Sequence, residues 1–349
     1  MHSNSDRGTT TIDWSLLEPV NSERERELRV EANTDVNARV PTVHTLTSAL
    51  LIVNPASRRG ARDSHTLADA CRRAQIDVRV VETERPGHAT ALARELTASG
   101  DFDAVFSIGG DGTAAEVISG LAGTPSAPPV AVLGGGTANI LARTLGMPMR
   151  PAFAIDALVD AVPVAVDLGR VADGRRFVIG FGVGLDAAMI GGASPRLKRR
   201  IGYAAYALSA LRAGLRMERF AVRVTVDGVA HDVETASLLV ANFGSVANGL
   251  FRFGEGIRHD DGVLNACMYS PRSRLEAARI AWRMMRGTMS CERCFTSLPG
   301  SHFLIEPLTP RDAQADGELF GATPFEITVE PRAVRLLVPR SARVMRTPN

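Results

Sequence analysis

Between residues 49 and 133 the chain repeats one figure: an apolar strand ending in small residues, then a helical pattern. The strands are Ala49–Val53, Val78–Val81, Ala104–Ile108 and Val130–Leu133. A run such as Ala49-Leu50-Leu51-Ile52-Val53, apolar on both faces, fits a strand buried between two layers. Helical spacing follows the first strand at Leu67, Ala70, Cys71 and Ala74, the second at Ala89–Leu96 and the third at about Ala114–Leu121. Strand and helix in strict alternation predict a doubly wound parallel α/β sheet. Such sheets bind ligands outside the carboxyl ends of their strands.

After Pro163 the rhythm changes. Short strands at 164–171, 176–181, 221–226, 237–241, 263–269, 302–305, 325–329 and 334–338 are separated by Gly and Asp, with hairpin signals at Asp173-Gly174 and Asp227-Gly228. Two helical inserts interrupt them, Ile201–Leu215 and Arg274–Met285. The expected organisation is a polar, disordered tail over 1–45, an α/β domain over 46–163, and a mostly antiparallel β domain over 164–345. The last strand is allowed to return to the first domain, and a cleft is expected between the two.

Composition narrows the chemistry. Forty basic and thirty-eight acidic residues leave a formal charge of +2, which argues against a nucleic-acid partner. Lys198 is the only lysine. Mechanisms built on a P-loop lysine or a kinase strand lysine are therefore excluded, and phosphate must be held by backbone amides, arginine or metal. The four cysteines, Cys71, Cys267, Cys291 and Cys294, are too few for a disulfide framework, and Met1–Trp14 lacks an apolar signal core. A cytoplasmic location is expected. The uncharged stretch 117–142 is long enough to span a bilayer, but Pro125, Pro128, Pro129 and Gly134–Gly136 break it into loop and strand.

The sharpest motif is Gly109-Gly110-Asp111-Gly112-Thr113, directly after an apolar strand and before a helix. Glycines let the backbone approach a phosphate, and a helix start offers free N–H groups at its positive end. Asp111 suits such a cradle if it orients magnesium or its waters; the alternative is a tight turn with a capping Asp. Three further strands end alike: Asn54-Pro55 with Ser57 and Gly60, Thr83, and Gly134-Gly135-Gly136-Thr137-Ala138-Asn139. Four phosphate-compatible turns along one sheet edge point to nucleotide binding.

In this order, Asn54-Pro55, Gly109–Thr113, Gly136-Thr137-Ala138-Asn139, Asp261-Gly262-Val263-Leu264 and Asp316-Gly317-Glu318 resemble the diacylglycerol kinase catalytic-domain family. The likeness spans about 47–342 and is narrower to bacterial lipid kinases related to sphingosine and ceramide kinases. It implies a nucleotide lobe and a β-rich lipid lobe, with ATP as donor, Mg2+ required, and the γ-phosphate passing to the hydroxyl of a diacylglycerol-like or sphingoid/ceramide lipid, as in phospholipid metabolism. By position it implies ATP contacts at Asn54, Pro55, Ala56, Ser57, Arg58, Thr83, Gly109, Gly110, Asp111, Gly112, Thr113, Ala114, Ala115 and Thr137. It implies a structural magnesium site at Asp261 with main-chain oxygens near Arg258 and Val263, its waters reaching toward Asp111. The proton acceptor is implied to be Glu318 first and Asp316 second. Ala115, Ile140 and Asn265 depart from residues common in the family. Taken singly, Asp316-Gly317-Glu318 and Asp260-Asp261-Gly262 read as ordinary β-turns.

A lipid substrate requires contact with a membrane surface. The basic run Arg196–Arg200 precedes an uncharged helical stretch, and the later insert sets Leu275, Ala278, Trp282 and Met285 on one stripe flanked by Arg272, Arg279, Arg283 and Arg286. Such helices suit an anionic interface, though a core-packed helix with a solvated basic side has the same pattern. Cys291-Glu292-Arg293-Cys294, with only His302 nearby, makes a weak metal site. The alternatives to a lipid kinase are an NAD kinase and a catalytically silent lipid or nucleotide sensor; a homodimer is left open.

Overall fold

The structure, a computed structural model, describes residues 46–184, 218–249, 251–286 and 294–342. In the first part β1 (Ser48–Val53), β2 (Asp77–Glu82), β3 (Ala104–Gly109) and β4 (Val130–Gly134) form parallel ladders in the order β2–β1–β3–β4. β1 and β3 are buried nearly end to end, whereas β2 is the edge strand and leaves Val80 open to solvent. Helices α1 (Gly60–Arg73), α2 (His88–Leu96) and α3 (Asp111–Leu121) cross between strands, and α4 (Ile140–Thr144) and α5 (Pro151–Val159) follow β4. Helix α1 turns Leu67, Ala70 and Cys71 inward at helical spacing. The chain steps outward from β1 to β2 and then crosses back past β1 to β3 and on to β4, so the topological switch lies between β1 and β3.

The second part contributes β5 (Ala161–Val171), β6 (Arg176–Phe177), β7 (Gly180–Gly184), β8 (Phe220–Val226), β9 (Val229–Thr235), β10 (Ser237–Ala241), β11 (Ser245–Val246) and β12 (Phe251–Arg252). Beyond them come β13 (Leu264–Tyr269), α6 (Arg274–Arg286), β14 (Phe295–Gly300), β15 (His302–Pro307), β16 (Asp312–Ala315), β17 (Glu318–Ala322) and β18 (Phe325–Pro339). The first sheet does not stop at β4. It continues through β18, β15, β8 and β9, with β5 antiparallel to β18. A second sheet, β14–β13–β10–β7–β16–β17, stacks on it. Phe177, Phe181, Val183, Val224, Leu238, Val240, Phe303 and Ile305 fill the space between. The opposite face of β10 and β13, through Leu239, Ala241, Cys267 and Tyr269, is covered by Ile280 and Met284 of α6.

Two strand expectations change, each for a local reason. The segments 325–329 and 334–338 form one strand: a register shift between Glu330 and Val334, with Arg332 at φ 49°, bends β18 without ending it. Leu336 thereby lies opposite Val130 of β4. Conversely 176–181 is split into β6 and β7, because the amides of Val178 and Ile179 go to the Asp316 carboxylate rather than to a neighbouring strand. The tail over 1–45, the insert 201–215 and Cys291 lie outside the described residues.

Candidate active site

The carboxyl ends of β1, β3 and β4 are tied to one another. Asn54 N–H donates to Ile108 O at 2.9 Å, and Gly135 N–H to Gly109 O at 2.8 Å. The Asn54 amide donates to Thr113 Oγ1 at 3.0 Å, while its own oxygen accepts from Ala56 N–H, closing the turn over Pro55. Ser57 Oγ donates to Asn54 O, and Arg59 reaches across to Gly134 O at 2.8 Å through Nη2 and to Gly135 O through its amide. Arg58 stays exposed on the same turn. A Cβ on Gly136 would lie 2.5 Å from Gly110 Cα, so the two glycine turns touch backbone to backbone.

Helix α3 begins within this cluster. Gly110 is its extended N-cap and contributes no side-chain cap. The first-turn amides of Asp111, Gly112 and Thr113, at the positive end of a helix, are suited to phosphate. Ala114 and Ala115 continue the turn, buried and half-buried, and Thr137 is half-buried beside it. Thr83 donates its amide to Val53 O at 2.8 Å, extending the rim toward β2. Beyond it, Glu116 of α3 accepts from the amides of Gly87 at 2.9 Å and Ala89 at 3.2 Å, and so fixes the start of α2.

Asp111 caps a helix other than its own. Its Oδ1 accepts from Leu141 N–H at 2.9 Å, at the start of α4, where Asn139 adopts φ 50°. Burial raises its pKa against the amides that it accepts.

The β16–β17 turn brings two carboxylates to this cluster and treats them oppositely. Asp316 is spent on backbone: its oxygens accept from Val178 N–H at 2.6 Å, Ile179 N–H at 2.7 Å and Gly180 N–H at 3.1 Å. Burial outweighs those bonds and, with Asp111 nearby, lifts its pKa to about 6. Glu318, two residues on, is exposed at the start of β17, and a Cβ on Gly112 would collide with its carboxylate. Its pKa is raised by partial burial and then by the charges of Glu116 and Asp111. The Gly112 position therefore has to be glycine for Glu318 to rest on the start of α3.

A second acidic turn lies between β12 and β13. Asp261 Oδ1 accepts from Val263 N–H at 3.2 Å, and Asp260 pairs with Arg258 at 3.1 Å. Beside them stands fully buried Asp167 of β5, accepting from Gly262 N–H and from Arg332 N–H, both at 2.7 Å. Burial, then the neighbouring Asp167 and Asp260, raises the Asp261 pKa to about 6. Among the described residues no three His, Cys, Asp or Glu side chains come together in a way that would hold a metal.

The motif residues thus fall into two sets, with Asn54, Thr83, Gly109–Ala115, Thr137, Asp316 and Glu318 in one and Arg258, Asp261 and Val263 in the other. Arg59, Glu116, Asp167 and Asn242 were not anticipated. Asn242, wholly buried, donates to Asp167 O and Val178 O. A single acid inside the apolar run of β5 was the available signal for Asp167. Arg59 and Glu116 acquire their roles only through contacts distant in sequence.

Comparison with known proteins agrees with this geometry. The model of the diacylglycerol kinase catalytic domain matches residues 48–171, and that of the YegS C-terminal NAD kinase beta sandwich-like domain matches 180–338, together well over half of the chain. The chain is 27% identical over 296 residues to a diacylglycerol kinase of Bacillus subtilis (strain 168), covering 84% of this chain and 96% of that one. It is 28% identical over 300 residues to a Pseudomonas aeruginosa (strain UCBPP-PA14) protein named "Probable lipid kinase YegS-like", covering 86% and 97%. A solved structure from Bacillus anthracis str. Sterne, described as a candidate diacylglycerol kinase, aligns with a TM-score of 0.72 at 25% identity, over 88% of this chain and 99% of that one.

Proposed function

This chain belongs to the diacylglycerol kinase catalytic-domain family, and we propose that it transfers the γ-phosphate of ATP, with Mg2+, to the hydroxyl of a diacylglycerol-like or sphingoid/ceramide lipid. The observation that carries the proposal is the Glu318 carboxylate resting on Gly112, where the phosphate-compatible turn opens α3. Phosphoryl transfer to an alcohol needs a held phosphate, an in-line hydroxyl and a proton acceptor. The α3 amides and the Asn54–Arg58 turn hold the triphosphate. Glu318, exposed at the start of β17, accepts the hydroxyl proton. Its raised proton affinity brings it nearer the operating pH, where a general base works best. Asp316 positions the turn through its three amides. Leu319, next to Glu318 and 62% exposed, offers apolar surface to an acyl chain.

The Asp261 loop suits a hard cation. Two carboxylates, fully buried Asp167 and half-buried Asp261, lie close enough to disfavour each other's charge, and their oxygens are the donor type that magnesium takes. Asp261 with the carbonyls of Arg258 and Val263 would hold the ion. Bound there, it would supply fixed positive charge that neutralises the pair and orders the loop. Among the described residues no helix is long and apolar enough to cross a membrane. From the lipid-kinase reading itself we place the enzyme in the cytoplasm, working at the inner membrane face.

Incubating the protein with labelled ATP, magnesium and a panel of diacylglycerol, ceramide, sphingosine and NAD tests the reading. Labelled lipid phosphate is expected. Labelled NADP without lipid product would make the chain an NAD kinase, and binding of both ligands without product would make it a sensor.

A further inference from the structure

The proposed lipid kinase must draw its substrate from a bilayer, and one helix carries a surface suited to that contact. Helix α6 buries Ile280 and Met284 against Tyr269 and Phe295 on the outer side of the second sheet. Its other side holds Leu275, Arg279, Trp282 and Arg286, all exposed. Their spacing of four, three and four residues is one face of an α-helix. Leu275 is 74% and Trp282 55% exposed, which sets this pair apart from an ordinary solvated helix face. Arg286 stands over the Trp282 ring at 4.7 Å. Arg272 is exposed just before the helix, and Glu276 is turned back to accept from Arg272 N–H at 2.6 Å. The face therefore joins an exposed indole and a leucine with guanidinium groups, about 20 Å from end to end.

We infer that this face of α6 docks the enzyme on an anionic bilayer, Trp282 and Leu275 entering the headgroup–acyl boundary while Arg279 and Arg286 meet lipid phosphates. Charge complementarity selects the occupant. A protein partner would also use the indole, but paired arginines flanking exposed apolar side chains match the geometry of an interfacial helix. The inference rests on the lipid-kinase reading, and it concerns delivery to the membrane rather than the chemical step.

The test uses the full chain in a Trp14→Phe background, so that Trp282 is the only indole. Flotation with phosphatidylglycerol-containing vesicles is expected, together with a blue shift of Trp282 emission, and neither with phosphatidylcholine alone. Replacing Arg279 and Arg286 by Gln should lower partitioning about five-fold per arginine, the effect falling away at high salt. Leu275→Ala with Trp282→Ala should abolish flotation. Each variant should keep its kcat for a short-chain diacylglycerol presented in detergent. Unchanged flotation in these variants, or a blue shift produced by self-association without vesicles, would overturn the inference. Loss of flotation in a protein that phosphorylates no lipid would keep the docking face and remove the kinase reading.

Discussion

The two acidic turns of the β lobe look alike in sequence and are used in opposite ways. In Asp316-Gly317-Glu318 the first acid is consumed by three backbone amides and the second stands open over Gly112. In Asp260-Asp261-Gly262 the first acid is paired with Arg258 and the second is half-buried beside fully buried Asp167. Under the proposed function one turn offers an acid to take a proton, and the other gathers negative charge that a cation would relieve. An acid's role is thus set by which of its oxygens the backbone has already claimed.

The comparison breaks first at Glu318. Glu318→Gln is expected to lower kcat about 10²–10⁴-fold while the KM for ATP stays within about two-fold, as for loss of a general base. Asp316→Asn should instead unfold the turn, since an amide cannot accept at both ends. It leaves buried N–H groups unsatisfied at a cost of about 1–3 kcal/mol, read in denaturant melts. Steady-state kinetics that reversed the two results would exchange their roles. Gly112→Ala gives a sharper form of the same test, because the new methyl displaces the Glu318 carboxylate. Its kcat loss should be about 10-fold or more, and it should add little on top of Glu318→Gln, because both changes remove the same contact.

The second turn is probed by pH. Asp261 and Asp316 have folded pKa values of about 6, above the ordinary carboxylate range, so the fold disfavours their charged forms. The folded state therefore binds protons more readily than the unfolded chain between about pH 6 and 4. Stability should rise as pH falls from 7.5 through 6, the reverse of a salt-bridged carboxylate. Asp261→Asn should stabilise the metal-free protein at pH 7.5 by about 1–2 kcal/mol and flatten that rise. Magnesium should raise the Tm of the wild type and leave that of Asp261→Asn unmoved. A stability maximum at pH 7.5, or equal magnesium shifts in both proteins, would remove the cation proposed for the second turn.

Local pattern carried much of this architecture. The alternation of apolar strands and helices is realised as β1–β4 with α1–α3, and the motif glycines do lie together at one sheet edge. The roles of individual acids were less legible. Asp111 was open to reading as a cap on its own helix, but it caps α4, a contact made only when β3 and β4 lie side by side. Asp316 and Glu318 were indistinguishable as sequence, since the amides that bind Asp316 come from Val178–Gly180, far upstream. Arg59 and Glu116 are ordinary surface residues by composition and become clamps only because distant turns converge on them. What escaped the sequence was long-range hydrogen bonding to backbone, which no local pattern encodes.

The smallest expected effect is at Asp260, and its smallness is informative. Asp260 and Arg258 form a bidentate pair at 3.1 and 3.2 Å, with the arginine 47% and the aspartate 34% exposed. Solvent screens such a pair and side-chain entropy opposes it, so Asp260→Asn should change stability by no more than about 0.5 kcal/mol. The same substitution also removes one of the two charges that raise the Asp261 pKa. Its visible consequence should therefore be a modest downward move of the Asp261 titration, followed by carboxylate NMR, with the melting curve hardly altered. If Asp260→Asn instead cost as much stability as Asp316→Asn, the two turns would share one structural role, and the division between them would fail.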